Sequence, residues 1–329
     1  MIWLKFILVT SLLLGVGLVT SFFKADLPKA EIDAKYSNRQ SQFFMTENRA
    51  RVHFRDEGRS NGLPLLLVHG SNASLHTWEP WVRLLADEFR LISLDLPAHG
   101  LTGEVPDGRY DMEAFMATID ALRAHLALKQ FVFIGNSMGG GIAWRYTLAH
   151  PQRVIALVLI DATGPPAWHL EQSVMAEAEQ GQTPLAYQLL QQAWFRSLAR
   201  YLDPAALVRE GVLTAYHPSA VVTKELVQRY YELALRSGTR DATIQRFASY
   251  RADQHIDYDL RRIKTPTLIL WGREDALIPV ETATQFQNLL PNAQLIIYEQ
   301  VGHMAMEEIP EKSAADLRTF LNALNSLEL

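Results

Sequence analysis

The chain has 329 residues, 48% of them hydrophobic and 20% charged, enough for one large core or a core with an appendage. Its formal net charge is −5 and it carries no long basic run, which argues against a nucleic-acid partner. There is no cysteine, so disulfides, thiolate nucleophiles, iron–sulfur clusters, Cys-ligated zinc and a lipid-modified N-terminal cysteine are excluded.

Phe6 to Phe23 is an uncharged apolar run between Lys5 and Lys24. About 18 apolar residues is the lower limit for a membrane-spanning helix, given ~1.5 Å rise per residue and a ~30 Å hydrocarbon core. The first expectation for residues 1–24 is a signal-anchor helix that places the rest of the chain outside the cytoplasm. The alternatives are a cleaved secretory signal, although SFFKAD offers no clean small-residue cleavage site, and a buried core helix. Residues 25–40 are polar and read as a linker. SQFFMT and ARVHFRDEG then alternate around a polar ENR turn, as an antiparallel hairpin does. PLLLV (64–68), LISLD (91–95), FVFIG (131–135), VIALVLID (154–161), TLILWG (267–272) and QLIIYE (294–299) are short apolar runs, the pattern of strands buried on both faces. Amphipathic helical stretches such as Asp111 to Leu128 separate most of them, which predicts a mostly parallel sheet covered by helices. Between 165 and 250 only helix-like, aromatic-rich sequence occurs (VMAEAEQ, LAYQLLQQAWFRSLARYL, AVVTKELVQRYYELALRS). We read it as a helical insertion, a lid over a core formed by 41–164 and 251–329; the alternative is packing helices with no part in a site.

Residues 135–139 read Gly-Asn-Ser-Met-Gly, a G-x-S-x-G pattern that is weak alone. Here it follows an apolar strand and opens a helix, the setting of a nucleophile elbow. Ser137 is therefore the candidate nucleophile. A serine hydroxyl needs an adjacent base. Of ten histidines, His303 stands in a loop directly after the last predicted strand. Asp275 follows the strand ending at Gly272 and is the candidate carboxylate behind the imidazole, with Asp161 at the end of VLID in reserve. The Met138 N–H, at a helix start, and the Ser71 N–H, in the loop after PLLLV, are the candidate oxyanion donors. Gly70 lets that loop approach a substrate carbonyl; Asn72 and Asn136 flank these donors and are taken as substrate contacts, while His69 is read as a brace for the loop. Trp194, Phe195, Met304, Met306, Tyr230 and Tyr231 suggest an apolar pocket, although any one of them could be plain core. No P-loop, dinucleotide fingerprint or HExxH zinc motif occurs, so no metal and no organic cofactor is expected.

The segments VHGSNASLHTW (68–78), DLPAHGLT (95–102), GNSMGGG (135–141), LWGREDALIP (270–279) and VGHMAMEEIPE (301–311) together resemble the α/β-hydrolase superfamily over residues 41–325. The resemblance implies an eight-stranded, mostly parallel twisted sheet flanked by helices, with an inserted helical cap. It maps nucleophile, acid and base onto Ser137, Asp275 and His303. Serine at the nucleophile position argues against epoxide hydrolases and haloalkane dehalogenases, which carry Asp there. The GNSMGG string is similar to the branch that hydrolyses carbon–carbon bonds in aromatic ring-fission products, and Arg229 could match that branch's carboxylate-binding arginine. That branch usually has a Trp pair around its catalytic His, where this chain has Met304 and Met306. The expected activity is therefore hydrolysis of carboxylic esters of hydrophobic small molecules, with carbon–carbon bond hydrolysis as the alternative. A perhydrolase or acyltransferase using the same three residues, or a non-catalytic binding protein on the same fold, would read alike. Sequence leaves the oligomeric state open.

Overall fold

The computed structural model describes residues 22–166, 168, 192–218, 220–249 and 258–325. Among them eight strands form one sheet in the order β1-β2-β4-β3-β5-β6-β7-β8. These are β1 (Ser41–Met45), β2 (Arg51–Gly58), β3 (Pro64–Val68), β4 (Arg90–Leu94), β5 (Phe131–Asn136), β6 (Val154–Ile160), β7 (Thr267–Gly272) and β8 (Ala293–Tyr298). The hairpin β1–β2 and the pair β2–β4 are antiparallel, and all other pairings are parallel. Each predicted strand is present, and the continuous apolar runs have the expected cause: every residue of β5 and β7 is buried.

Period-2 geometry sends alternate side chains into two separate cores. Leu66, Val68, Ile92, Phe131, Phe133, Leu157, Leu159 and Ile269 pack on one face with Trp144 and Phe286. Leu65, Leu67, Leu91, Val132, Ile134, Val158, Leu268 and Leu270 pack on the other with Trp78, Trp81 and Leu317. A one-residue slip would exchange these sets, so the register is strongly specified. Helices α2 (Glu79–Leu85), α3 (Met112–His125), α4 (Met138–Ala149), α9 (Glu281–Leu289) and α11 (Pro310–Asn325) flank the sheet. The strand order reverses direction between β3 and β5, and loops leaving the carboxyl ends of strands at such a point frame a crevice.

Between β6 and β7 the described chain forms α5 (Ala193–Ala199), α6 (Ala205–Ala215), α7 (Lys224–Leu235) and α8 (Thr239–Ser249). Thr223 caps α7 by accepting the Leu226 N–H at 3.1 Å, and Leu226, Leu233 and Leu235 form its buried stripe. The predicted helical segment VMAEAEQ lies outside the described residues.

Within residues 25–40, read as a linker, Lys29–Tyr36 forms helix α1, with Ile32 buried in a small cluster with Leu101 and with Leu233 of α7. Arg236 Nε donates to Asp33 Oδ1 at 2.7 Å and Arg240 Nε to Asp26 Oδ1 at 2.9 Å, so the segment straps onto the helices between β6 and β7. One expectation for the N-terminal region, the membrane-anchored location, is corrected: among the described residues no helix is long and apolar enough to cross a membrane. Residues 1–21 of the expected anchor lie outside the described residues. Phe22 and Phe23, which end the apolar run, lie against the cap, where Phe23 bridges Leu202 and the Asp203 N–H donates to Phe22 O at 2.8 Å.

Candidate active site

Ser137 stands between β5 and α4 with φ 54° and ψ −121°, a backbone that side-chain-bearing residues rarely adopt. The turn is held from both sides: the Ser137 N–H donates to Ile160 O at 3.0 Å, and Ser137 O accepts from Gly141 N–H and Thr163 N–H, each at 3.0 Å. At Gly139 a Cβ would stand 2.2 Å from Val68 O, so only glycine lets the elbow close against β3. Ser137 itself remains partly exposed at the carboxyl edge of the sheet.

Asp275 lies in the loop after β7. Its Oδ1 accepts the N–H groups of Leu277 and Ile278 at 2.7 and 3.0 Å, and its Oδ2 stands 2.7 Å from His303 Nδ1. Both side chains are buried, which fixes the imidazole and its tautomer, with the proton on Nδ1. The His303 loop follows β8, and its N–H donates to Ala215 O at the end of α6, so the cap holds it. Asn136 Nδ2 donates to His303 O at 3.1 Å and to Ile160 O at 3.3 Å, tying elbow and histidine loop together. Among the described residues no hydrogen bond joins Ser137 Oγ to His303 Nε2; such contacts are often long without substrate.

The loop after β3 completes the site. A Cβ on Gly70 would meet Ser137 Cβ at 2.9 Å, so its backbone lies directly against the serine. The Leu96 N–H donates to His69 Nε2 at 3.1 Å, which leaves the His69 proton on Nδ1, and that N–H donates to Gly70 O at 2.7 Å. Burial holds His69 below the ordinary histidine range, so it braces the loop as a neutral ring. With Gly70 O turned to His69, the Ser71 N–H of the same trans peptide faces the opposite way. Asn72 adopts φ 59°, and its Oδ1 accepts from Arg246 Nη2 at 3.0 Å. Arg246, on α8 of the cap, also places Nη1 3.6 Å from Met138 Sδ.

The structure thus brings Ser137, Asp275, His303, Gly70, Asn72, Asn136 and Met138 together. Asn136 serves there as a strut, buried and with its Nδ2 donating to backbone carbonyls. The other sequence candidates lie elsewhere. Met304 is buried in the core with Tyr298 and Val301. Trp194 is 63% exposed on α5, edge-on to Phe195. Arg229 stands 3.8 Å from Glu79 and 3.9 Å from Glu307, on a cavity of about 780 Å³ that none of Ser137, Asp275 and His303 lines. Arg246 escaped the sequence reading because its partners are distant in the chain, Asn72 by 174 positions.

Asp161, at the end of β6, is also buried here. One carboxylate oxygen of Asp161, one of Asp275 and one ring nitrogen of His303 lie within 4.8 Å of one another, a candidate metal-ligand set. The geometry does not suit one ion: ligand atoms at about 2.0–2.2 Å from a tetrahedral zinc stand about 3.4 Å apart, whereas Asp275 Oδ2 and His303 Nδ1 are 2.7 Å apart and share a proton.

The family description of the alpha/beta hydrolase fold matches residues 64–310. The chain belongs to this family. A 2-hydroxy-6-oxononadienedioate/2-hydroxy-6-oxononatrienedioate hydrolase of Burkholderia vietnamiensis is 32% identical over 280 residues, covering 80% of this hydrolase and 88% of that one. A thermophilic esterase of Thermogutta terrifontis is similar in structure, with a TM-score of 0.69 and 26% identity over 87% of this chain and 99% of that chain. A bacterial membrane phospholipase A is alike over 98% of this chain and 99% of its own, with a TM-score of 0.69; at 23% identity this likeness speaks for the fold.

Proposed function

We propose that this hydrolase cleaves carboxylic esters of hydrophobic small molecules through an acyl-enzyme on Ser137. The observation that carries the reading is the Asp275 Oδ2–His303 Nδ1 contact at 2.7 Å, set beside a serine held at positive φ on a strand–helix elbow. In the first step His303 Nε2 takes the Ser137 proton as Oγ bonds to the carbonyl carbon. The N–H groups of Ser71 and Met138 receive the oxyanion; the C–O bond to the alcohol then breaks, and His303 returns the proton to the leaving oxygen. In the second step His303 takes a proton from water as the water oxygen bonds to the acyl carbon; the bond to Ser137 Oγ then breaks, His303 returns the proton to Oγ, and the acid leaves. The exposed Asn72 and partly exposed Ser71 leave this edge open to a ligand. The likeness to an esterase across the whole domain supports the same bond type.

A second reading has its own support. A buried guanidinium, Arg246, stands beside the proposed oxyanion loop and offers a positive charge to a substrate carboxylate, a group carried by the dienedioate named for the Burkholderia relative. Arg229, the residue matched to that role by resemblance, lies instead between two glutamates. Purified enzyme assayed on p-nitrophenyl esters of graded acyl length and on a vinylogous diketoacid separates the two. We expect kcat/KM to favour the esters, with activity lost in Ser137→Ala. A clear preference for the diketoacid, abolished in Arg246→Gln, would overturn the ester reading.

A further inference from the structure

Two aspartates approach one imidazole from neighbouring strand ends, Asp161 after β6 and Asp275 after β7, and both are buried. Asp275 receives three donors: the N–H groups of Leu277 and Ile278, and His303 Nδ1. Asp161 receives one, the Gly272 N–H on Oδ1 at 2.9 Å; its Oδ2 is buried with no hydrogen-bond partner among the described residues. Asp161 also holds φ 45°, a strained backbone for a residue with a side chain, so the fold keeps the carboxyl here at a cost in strain. Two carboxylates this close and out of water do not both ionise. Each N–H donor favours the charged form of its acceptor, so the charge belongs on Asp275 and the proton on the unpartnered oxygen of Asp161.

We propose that Asp161 is a positioning residue of this hydrolase, a neutral carboxylic acid whose Oδ2–H donates to Asp275 and fixes the carboxylate behind His303. The inference rests on the reading of Ser137, His303 and Asp275 as a triad. The surroundings agree. Glu308 of α10 (Ala305–Glu308), which accepts the Gly302, Met304 and His217 N–H groups, faces the pair and further disfavours a second negative charge. The Tyr298 hydroxyl of β8 donates to Asp316 and stays neutral. Around Asp161 in the chain, Ile160 O accepts from Asn136 Nδ2 and Thr163 Oγ1 donates to Ser137 O, both uncharged side chains. Burial, and then the charge of Asp275, push the Asp161 carboxyl well above the ordinary carboxylate range. A donated O–H draws negative charge from Asp275 and so weakens its support of the imidazolium. The acidic limb of the pH–rate profile is therefore the property that loss of this hydrogen bond should move.

The test is the acidic limb of the pH profile of kcat/KM on a p-nitrophenyl ester. Asp161→Asn keeps a donor toward Asp275 and an acceptor for Gly272 without charge. Its rate should fall by no more than about tenfold, and its acidic limb should stay in place. Asp161→Leu removes the donor and should move that limb up by about half a unit. A downward move of about one unit in Asp161→Asn would mean that the native residue carries charge, and overturns the inference. Should the variants fail to fold, wild-type enzyme labelled with carbon-13 at its aspartate carboxyls decides. One buried carboxyl must remain protonated at pH values well above the ordinary carboxylate range, and its absence overturns the inference equally. Ser137→Ala, run in parallel, separates the two claims. Full activity there sinks the triad reading itself, whereas an inactive Ser137→Ala with a shifted Asp161→Asn sinks only the role of Asp161.

Discussion

Ser137 occupies a backbone state that the folded chain must enforce, and the enforcing contacts are specific. Its N–H is anchored to Ile160 at the end of β6 and its C=O to Thr163 just beyond, so the hydroxyl is presented with little freedom. Ser137→Ala should leave only the residual rate of the empty site, and Asp275→Asn should reduce kcat by about 10⁴ while the fold persists. Ester turnover alongside a circular dichroism spectrum checks both, and an active Ser137→Ala would refute the nucleophile. Asp95 is a different kind of buried acid. It accepts from His53 Nδ1 at 2.7 Å and from the Leu75 and Leu101 N–H groups, each at 2.8 Å. Despite burial, these donors and the His53 interaction hold it far below the usual carboxylate range. Asp95→Ala strands them and should destabilise the protein by about 3–5 kcal/mol in urea unfolding. The sequence offered Ser137, Asp275 and His303 as candidates because each lies just beyond a strand end with a recognisable turn. It did not reveal that Asp161 and Asp275 meet, nor that Arg246 reaches Asn72, because such contacts depend on how the sheet and cap are stacked.

At the scale of elements, strands were legible and the N-terminal helix was not. Strands such as PLLLV and FVFIGN announce themselves because both faces are buried and the run is apolar up to the terminal Asn136. Helix α1 (KAEIDAKY) has Ile32 as its one buried residue, and its order comes from tertiary contacts rather than from periodicity. Those contacts are concentrated in Ile32, so Ile32→Ala should cost about 2–5 kcal/mol of local stability. Amide exchange over residues 29–36 should accelerate while β5 stays protected; unchanged exchange would show that the ion pairs alone hold the helix. The cap carries a related constraint. Because Ala215 O accepts the His303 N–H, any opening motion that keeps the base in place has to leave residues 215–217 where they are.

The whole molecule combines acids displaced in opposite directions, and its acid stability follows from those held low. Glu79 is pulled to about 2 by hydrogen bonds from His76 and Arg55, against the upward push of burial. Its contribution is complete above the ordinary value of 4.5 and is lost as pH falls toward about 2; Asp95, also depressed, adds in the same sense. Glu307, raised by burial, has the opposite sign: its contribution is complete below its ordinary value and is lost as pH rises through the folded one. The melting temperature should therefore fall below about pH 4.5 in wild type, and fall less steeply in Glu79→Gln. Equal slopes in a calorimetric pH series would remove Glu79 from the account.

The entry of the chain has a mechanical consequence. From residue 22 the backbone is fastened first to Tyr201 and Asp203, then through Leu27 to Leu235 and Ser237, before it reaches β1. Tension applied upstream of residue 22 is thus loaded onto the helices above the crevice before the sheet bears any of it. Those few main-chain links should rupture as an early, low-force event, with the eight-stranded body still intact.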